Sequence, residues 1–94
     1  MSVQDSKEAK SLYKAFLALQ TPDEAKRFIR DLLTEEEIKE FANRWKVANM
    51  LAEKINYKKI EKETGMSSTT IARISKWLTS GTGGYKLIIK TLSK

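Results

Sequence analysis

The feature that most constrains the fold is a repeated helix-start signal, TPDE at 21–24 and TEEE at 34–37. In each, a threonine can cap the first turn and a glutamate three residues later can complete a capping box. Pro22 also suits the first position of a helix. Both signals therefore predict helices. Apolar residues follow at helical spacing, with Ala25, Phe28, Ile29 and Leu32 after the first signal and Ile38, Phe41, Ala42, Trp45 and Ala48 after the second.

Similar punctuation divides the rest of the chain. Asn56 and Ser67 can each cap a short helix, and Gly65 suits the left-handed end of the first of these two. Only YKLIIKTL, taken in isolation, also fits a strand. We predict a single all-α domain over 1–94 with about six short helices. Besides the two helices already described, they span about 6–19, 57–64, 67–78 and 84–93.

The chain contains no histidine and no cysteine. Their absence removes the commonest general base, thiolate metal ligands and disulfides. The acidic cluster at 35–40 is explained by helix capping and by the helix dipole. We therefore predict a protein that is not an enzyme and that holds no metal or cofactor. The polar N-terminus and the lack of long apolar stretches predict a soluble, cytoplasmic protein without a membrane segment.

Charge is distributed unevenly along the chain, whose formal net charge is +6. Residues 1–53 carry nine basic and ten acidic side chains, whereas residues 54–94 carry nine basic and two acidic ones. This asymmetry suggests that the C-terminal half meets a polyanion. A basic face that only keeps a small protein soluble is the alternative.

Residues 56–78 have the spacing of a helix-turn-helix. Ile60, Ile71 and Ile74 stand where two crossing helices need apolar contacts, and Gly65 lets the chain turn between them. A helical hairpin with a solvated basic face is the plain alternative, but the spacing and the local charge together favour a helix-turn-helix. Ile71, Ile74 and Leu78 then face inward on the second helix, and the outward set is Ser68, Thr69, Ala72, Arg73 and Lys76.

The outward set suits a helix that lies in the major groove of DNA. Short side chains allow close approach, and hydroxyl groups can bond base edges or phosphates. The helix N-terminus also offers free N–H groups to phosphate. Glu61 interrupts a basic run on the preceding helix. The lysines predicted to contact the DNA backbone are Lys58, Lys59, Lys62 and Lys76.

The segment from Leu33 onward resembles the Trp repressor family, and within it the YerC/YecD-like group. The matching stretches are LTEEEIKEFANRWKVANML and INYKKIEKETGMSSTTIARISKWL, followed by a short final helix. The resemblance implies an intertwined, all-helical homodimer that binds operator DNA through two symmetric reading heads. An acidic Glu61 stands where the repressor has a basic residue. The implied DNA contacts fall on Tyr57, Lys58, Glu61, Ser68, Thr69, Thr70 and Ala72.

The resemblance also implies a tryptophan pocket between the central helix and the reading helix. Arg44 and Arg73 match the two arginines that flank the ligand, and Thr34 matches a third pocket residue. Ile74 and Trp77 are large where the family has a glycine and a serine. We hypothesise that they partly fill the pocket, so that free tryptophan is not the effector, although another small effector stays open. A surface ion pair with a glutamate one turn earlier is the alternative role for Arg44.

The residues leave two functions open. The first is a sequence-specific transcriptional regulator, a repressor that binds double-stranded DNA as a dimer. The second is a helical protein-interaction module without sequence-specific DNA binding. Apolar residues at 45, 47, 50 and 51 surround much of the third helix, which favours a homodimer with residues 1–53 as its dimerisation core. A compact six-helix monomer with some exposed apolar surface is the alternative.

Overall fold

Six α-helices follow a 3-10 turn in the computed structural model, which describes residues 2–93. No strand occurs in this range, and YKLIIKTL forms part of the last helix, so the all-α prediction is confirmed. None of the helices within 2–93 is both long and apolar enough to cross a lipid bilayer. The 3-10 turn, which the sequence pattern does not predict, is Val3–Asp5, and the helices are α1 Lys7–Leu17, α2 Pro22–Leu32, α3 Glu35–Ala52, α4 Tyr57–Thr64, α5 Ser68–Ser80 and α6 Gly84–Leu92.

Side-chain caps start α1, α2, α4 and α5. The cap oxygens of Ser6, Thr21, Asn56 and Ser67 each accept a backbone N–H, at 3.1, 3.1, 2.9 and 3.2 Å respectively. A cap of this kind contributes about 1 kcal/mol. On α2, the carboxylate at 24 accepts the N–H of residue 20 at 2.9 Å. The capping box of α2 therefore closes one residue earlier than predicted.

The first compact unit, Met1–Glu35, contains α1 and α2. None of residues 2–35 is buried. Phe16 and Phe28 form an edge-to-face pair with ring centroids 5.7 Å apart and planes at 86°, a geometry that aromatic quadrupoles favour. Leu17, by contrast, is 84% exposed. Much of the apolar surface of these two helices is therefore open.

The second compact unit, Glu36–Lys94, holds the buried core. Trp45 of α3 and Tyr85 of α6 stack beside it, with centroids 6.3 Å apart and planes at 22°. The core joins α3, α4 and α5 through side chains from all three helices. Burial of each large aliphatic side chain contributes roughly 1.5–3 kcal/mol to the stability of the fold. The members of the core are Val47, Ala48, Met50, Ile60, Ile71 and Ile74.

The buried face of α3 differs from the predicted one. Of the predicted stripe only Ala48 is buried, whereas Phe41 and Ala42 are exposed. Val47 and Met50 are buried because they lie in the cluster with the isoleucines of α4 and α5. Periodicity located an apolar stripe, but the buried residues of α3 all lie in its C-terminal half.

Candidate nucleic-acid interface

The turn between α4 and α5 is held by local hydrogen bonds. Gly65 ends α4 in the left-handed region, with φ 72°, and its N–H donates to the carbonyl of Glu61 at 2.8 Å. The Thr64 hydroxyl donates to the Ile60 carbonyl at 2.7 Å and accepts the Met66 N–H at 3.2 Å. These bonds fix the direction in which the chain enters α5.

Three isoleucines set the position of α5. All three side chains are 0% exposed. Ile60, Ile71 and Ile74 belong to one hydrophobic cluster, which also contains Val47 of α3. Leu78, the third member of the predicted inward stripe, is half-buried. The predicted helix-turn-helix is thereby confirmed as a structural unit, with α5 oriented by its buried side.

The hydroxyl residues at the start of α5 have different surroundings. Ser67 Oγ accepts the Thr70 N–H at 3.2 Å and lies 3.1 Å from Thr70 Oγ1. Ser68 and Thr69 are exposed, and within residues 2–93 no group hydrogen-bonds either hydroxyl. Ser68 and Thr69 can therefore serve an external partner, whereas the half-buried Thr70 supports the helix cap.

The outward face of α5 carries the predicted side chains. Its first turn presents the small side chains of Ser68 and Thr69, and the cations follow from Arg73 onward, so that close approach and positive charge occur on one helix. Trp77, one turn after the first cation, is 44% exposed. The five residues predicted to point outward, Ser68, Thr69, Ala72, Arg73 and Lys76, are all exposed.

The lysines of α4 border a shallow surface groove. Glu61 is half-buried and lies outside the lining of this groove, so the acid beside the lysines is Glu63. Glu63 is not among the residues predicted for the interface, although its spacing of four from Lys59 places the two side chains together on a helix. Tyr57, at the start of α4, is exposed. The groove is lined by Lys58, Lys59, Lys62 and Glu63.

The residues of the candidate effector pocket lie in different surroundings. Ile74 is buried in the core, whereas Arg73 and Trp77 are exposed. Thr34 belongs to the first compact unit. The side chain of Ile74 is therefore part of the packing between helices.

Arg44 forms the ion pair that its sequence position suggested. One of its terminal nitrogens lies 3.4 Å from Glu40 Oε1, and its guanidinium carbon lies 5.9 Å from the centre of the Phe41 ring. Both charged side chains are more than a third exposed, so the pair contributes little to stability. Arg44 Nε is buried, and within residues 2–93 it has no hydrogen-bond partner.

Comparison with known proteins agrees with this architecture. The family model described as Trp repressor protein matches residues 7–93. The chain is 41% identical over 83 residues to the uncharacterized protein YerC of Bacillus subtilis (strain 168), and the match covers 88% of this chain and 80% of YerC.

Two solved structures are also similar. A TrpR-like protein from Eubacterium eligens ATCC 27750 gives a TM-score of 0.90 at 34% identity and covers 96% of this chain and 93% of its own. A candidate Trp repressor from Staphylococcus aureus gives a TM-score of 0.89 at 30% identity and covers 99% of this chain and 95% of its own. The chain therefore belongs to the Trp repressor family, as a YerC-like member.

Proposed function

We propose that this protein is a sequence-specific DNA-binding regulator of transcription that acts as a repressor. The observation that carries the proposal is the exposed face of α5, where Ser68 and Thr69 have free hydroxyls on a helix held by the core. The family and the fold are those of DNA-binding regulators rather than of enzymes. A cytoplasmic location, with access to DNA, belongs to the same proposal.

Sequence recognition is assigned to the start of α5. Ser68 and Thr69 can donate to or accept from base edges in the major groove, and the Ala72 methyl can contact a thymine methyl. Thr70 stabilises the start of α5 through its bonds with Ser67, so it also contributes to recognition by positioning the first turn of the helix. Each good base contact discriminates by about 1–3 kcal/mol.

Affinity is assigned to the cations around this face. The lysines of the α4 groove can contact the DNA backbone on one side of the reading helix, and Arg73 and Lys76 add positive charge along α5. Such contacts release counterions, so binding should weaken steeply as salt is raised. Tyr57 and Glu61 lie on the same helix as these lysines, and we propose that they border the interface.

A homodimer is part of the proposal because the first compact unit leaves its apolar side chains open. None of residues 2–35 is buried, and Phe16 and Leu17 are 41% and 84% exposed. A second copy of the chain can cover such a surface, and obligate dimer interfaces bury about 2,000 Å² or more in total. Two copies would present two reading helices to half-sites about one helical turn, roughly 34 Å, apart.

Selection of bound sequences from a random duplex library tests the proposal. We expect enrichment of a motif with two symmetric half-sites, because a dimer presents the same helix twice. Sedimentation equilibrium on the same preparation should give the mass of a dimer. No enrichment would contradict the proposed function, and enrichment of a single half-site would contradict the dimeric geometry.

Thr69→Arg should abolish binding to the selected sequence. The added guanidinium occupies the space that the short hydroxyl side chain leaves for the base edges, and we expect a loss of at least about tenfold, from one lost base contact. Thr91→Arg, which makes the same substitution at an exposed position of α6, is the matched control. An electrophoretic shift assay that shows equal binding for both variants would remove Thr69 from the interface.

Lys59→Ala should weaken binding to every duplex by about the same factor. Removal of one phosphate contact also lowers the salt dependence of the logarithm of the binding constant by about 1. Lys90→Ala on α6 removes one exposed positive charge from a different helix and is the matched control. A change of sequence preference in Lys59→Ala, without a change in salt dependence, would contradict the phosphate role.

A protein-interaction module without sequence-specific DNA binding is the second candidate function. It is favoured by the exposed apolar side chains, of which Leu17 in α1 and Leu87 and Leu92 in α6 are the most open within the helices. The same library experiment separates the two functions, since a module of this kind binds duplexes weakly and enriches no motif.

A further inference from the structure

We infer that the DNA-reading helix α5 is held in its binding position by the chain's own side chains, so that DNA binding needs no small-molecule effector. The inference concerns the regulation of the interface described above and rests on the proposed function. It starts from the burial of one residue, Ile74, which resemblance to the family assigned to an effector pocket.

Ile74 fills the junction between α5 and its neighbours. It is 0% exposed and belongs to one cluster with Val47 of α3, Ile60 of α4 and Ile71 one turn earlier on α5. Closely packed interiors of this kind leave few voids larger than a water molecule. The contact between α3 and α5 is therefore made by side chains of the protein, at the place where the family resemblance implies a ligand.

Both ends of α5 are restrained as well. The start is capped by the Ser67 and Thr70 bonds, and the end is closed by the Gly81 N–H, which donates to the Trp77 carbonyl at 2.9 Å. A Cβ atom built at Gly81 would lie 2.4 Å from that carbonyl oxygen, so the close approach requires glycine. The position of the reading helix α5 is thus restrained at its start, along its buried side and at its end.

This restraint bears directly on regulation. An effector can raise DNA affinity only if it binds the DNA-competent conformation better than the other conformations. Its effect is limited by the competent fraction, because the apparent dissociation constant equals the intrinsic one divided by that fraction. Where the chain itself fills the junction, that fraction is close to one. Occupancy of the DNA then follows the concentration of the protein and its dimerisation.

The first experiment removes any bound small molecule. The full chain is unfolded in guanidinium chloride, dialysed and refolded, and its affinity for the selected duplex is compared by fluorescence anisotropy with that of natively purified protein. We expect dissociation constants that agree within about twofold, as for a competent fraction near one. Millimolar L-tryptophan, or a mixture of the common amino acids, should leave both values unchanged.

A loss of about tenfold or more on refolding, restored by L-tryptophan, by the amino-acid mixture or by the small-molecule filtrate of a cell extract, would overturn the inference. In that case the natively purified protein still binds its selected site, so the proposed function survives. If the natively purified protein selects no sequence, the proposed function fails and the inference fails with it.

The second experiment uses natively purified protein and needs no refolding. Ile74→Ala removes most of the buried side chain, and Ile74→Val removes one methylene and is the matched control. With helical content verified by circular dichroism, we expect the Ala variant to lose about tenfold or more in DNA affinity, because its competent fraction falls, and the Val variant to stay within a few-fold of the parent. Equal affinity of all three proteins would overturn the role assigned to Ile74.

Amide hydrogen exchange on the parent protein gives a measurement that is independent of the variants. Without DNA or any ligand, the amides around Ile71 and Ile74 should be protected as strongly as those around Val47, since all three lie in one cluster. Fast exchange in α5 that slows only when L-tryptophan or the amino-acid mixture is added would overturn the inference.

Discussion

The two compact units, Met1–Glu35 and Glu36–Lys94, differ in how completely their apolar side chains are buried. Both contain amphipathic helices with apolar residues at helical spacing. Yet none of residues 2–35 is buried, whereas the second unit contains the whole buried cluster of the described chain. The comparison teaches that an amphipathic pattern identifies the apolar face of a helix and says little about what covers that face.

The physical reason lies in the number of elements in each unit. Two helices of 11 residues each are too short to be stable without tertiary packing, and none of the residues of α1 and α2 is fully buried, although Phe16 contacts Phe28. In the second unit, side chains from α3, α4 and α5 meet at one place. The proposed second copy of the chain would supply the cover that the first unit lacks.

The largest expected effect comes from Ile71→Ala in the core of the second unit. Its side chain is 0% exposed, so truncation leaves a cavity and should lower the free energy of unfolding by about 2–5 kcal/mol. Urea denaturation followed by circular dichroism measures this loss. Ile29→Ala, the same chemical change at a half-buried position of α2, should cost less. Equal losses would break the comparison and would mean that the first unit is covered as completely as the second.

An intermediate effect should distinguish two left-handed positions of the second unit. Gly65→Ala should cost about 1–2 kcal/mol, because φ is 72° and no atom lies within 4 Å of a Cβ built there, so that the cost is conformational. Lys54 has φ 62° and is not glycine, so Lys54→Gly should stabilise by up to about 1 kcal/mol. Thermal unfolding of the two variants should show shifts of opposite sign. Shifts of the same sign would contradict a conformational cause.

The smallest expected effect concerns the aromatic pair of the first unit. Phe16→Ala removes the contact with Phe28 and should lower the free energy of unfolding by about 0.5–1.5 kcal/mol for the pair itself. If a second copy covers this unit, the midpoint temperature should also rise with protein concentration for both proteins. Thermal scans over a wide concentration range measure both quantities, and a midpoint independent of concentration would contradict the proposed dimer.

Several parts of the candidate site could be predicted from sequence because they depend on neighbours within a few residues. The Asn56 and Ser67 caps, the left-handed Gly65 and the inward Ile71 and Ile74 all appear where the pattern placed them. Caps and turns involve atoms three or four positions apart, and the helical period then decides which side of α5 faces inward.

Other parts could not be predicted from such patterns. Side-chain rotamers decide which hydroxyls are free to bind a partner. In the structure Thr70 bonds Ser67 at the helix cap, whereas Ser68 and Thr69 are exposed and their hydroxyls bond no group of the described chain. Which acid borders the lysine groove depends on how α4 is rotated, and Glu63 rather than Glu61 lies there. Both outcomes refine the interface without changing its location.

By itself, the sequence determined the helix starts, the turn at Gly65 and the side of α5 that faces inward, because each is set by local hydrogen bonds and helical periodicity. Only the tertiary structure decided that Val47 and Met50 of α3 are buried and that Phe41 is exposed. Burial depends on contacts between separate helices, and the periodicity of one helix does not specify where the neighbouring helices lie.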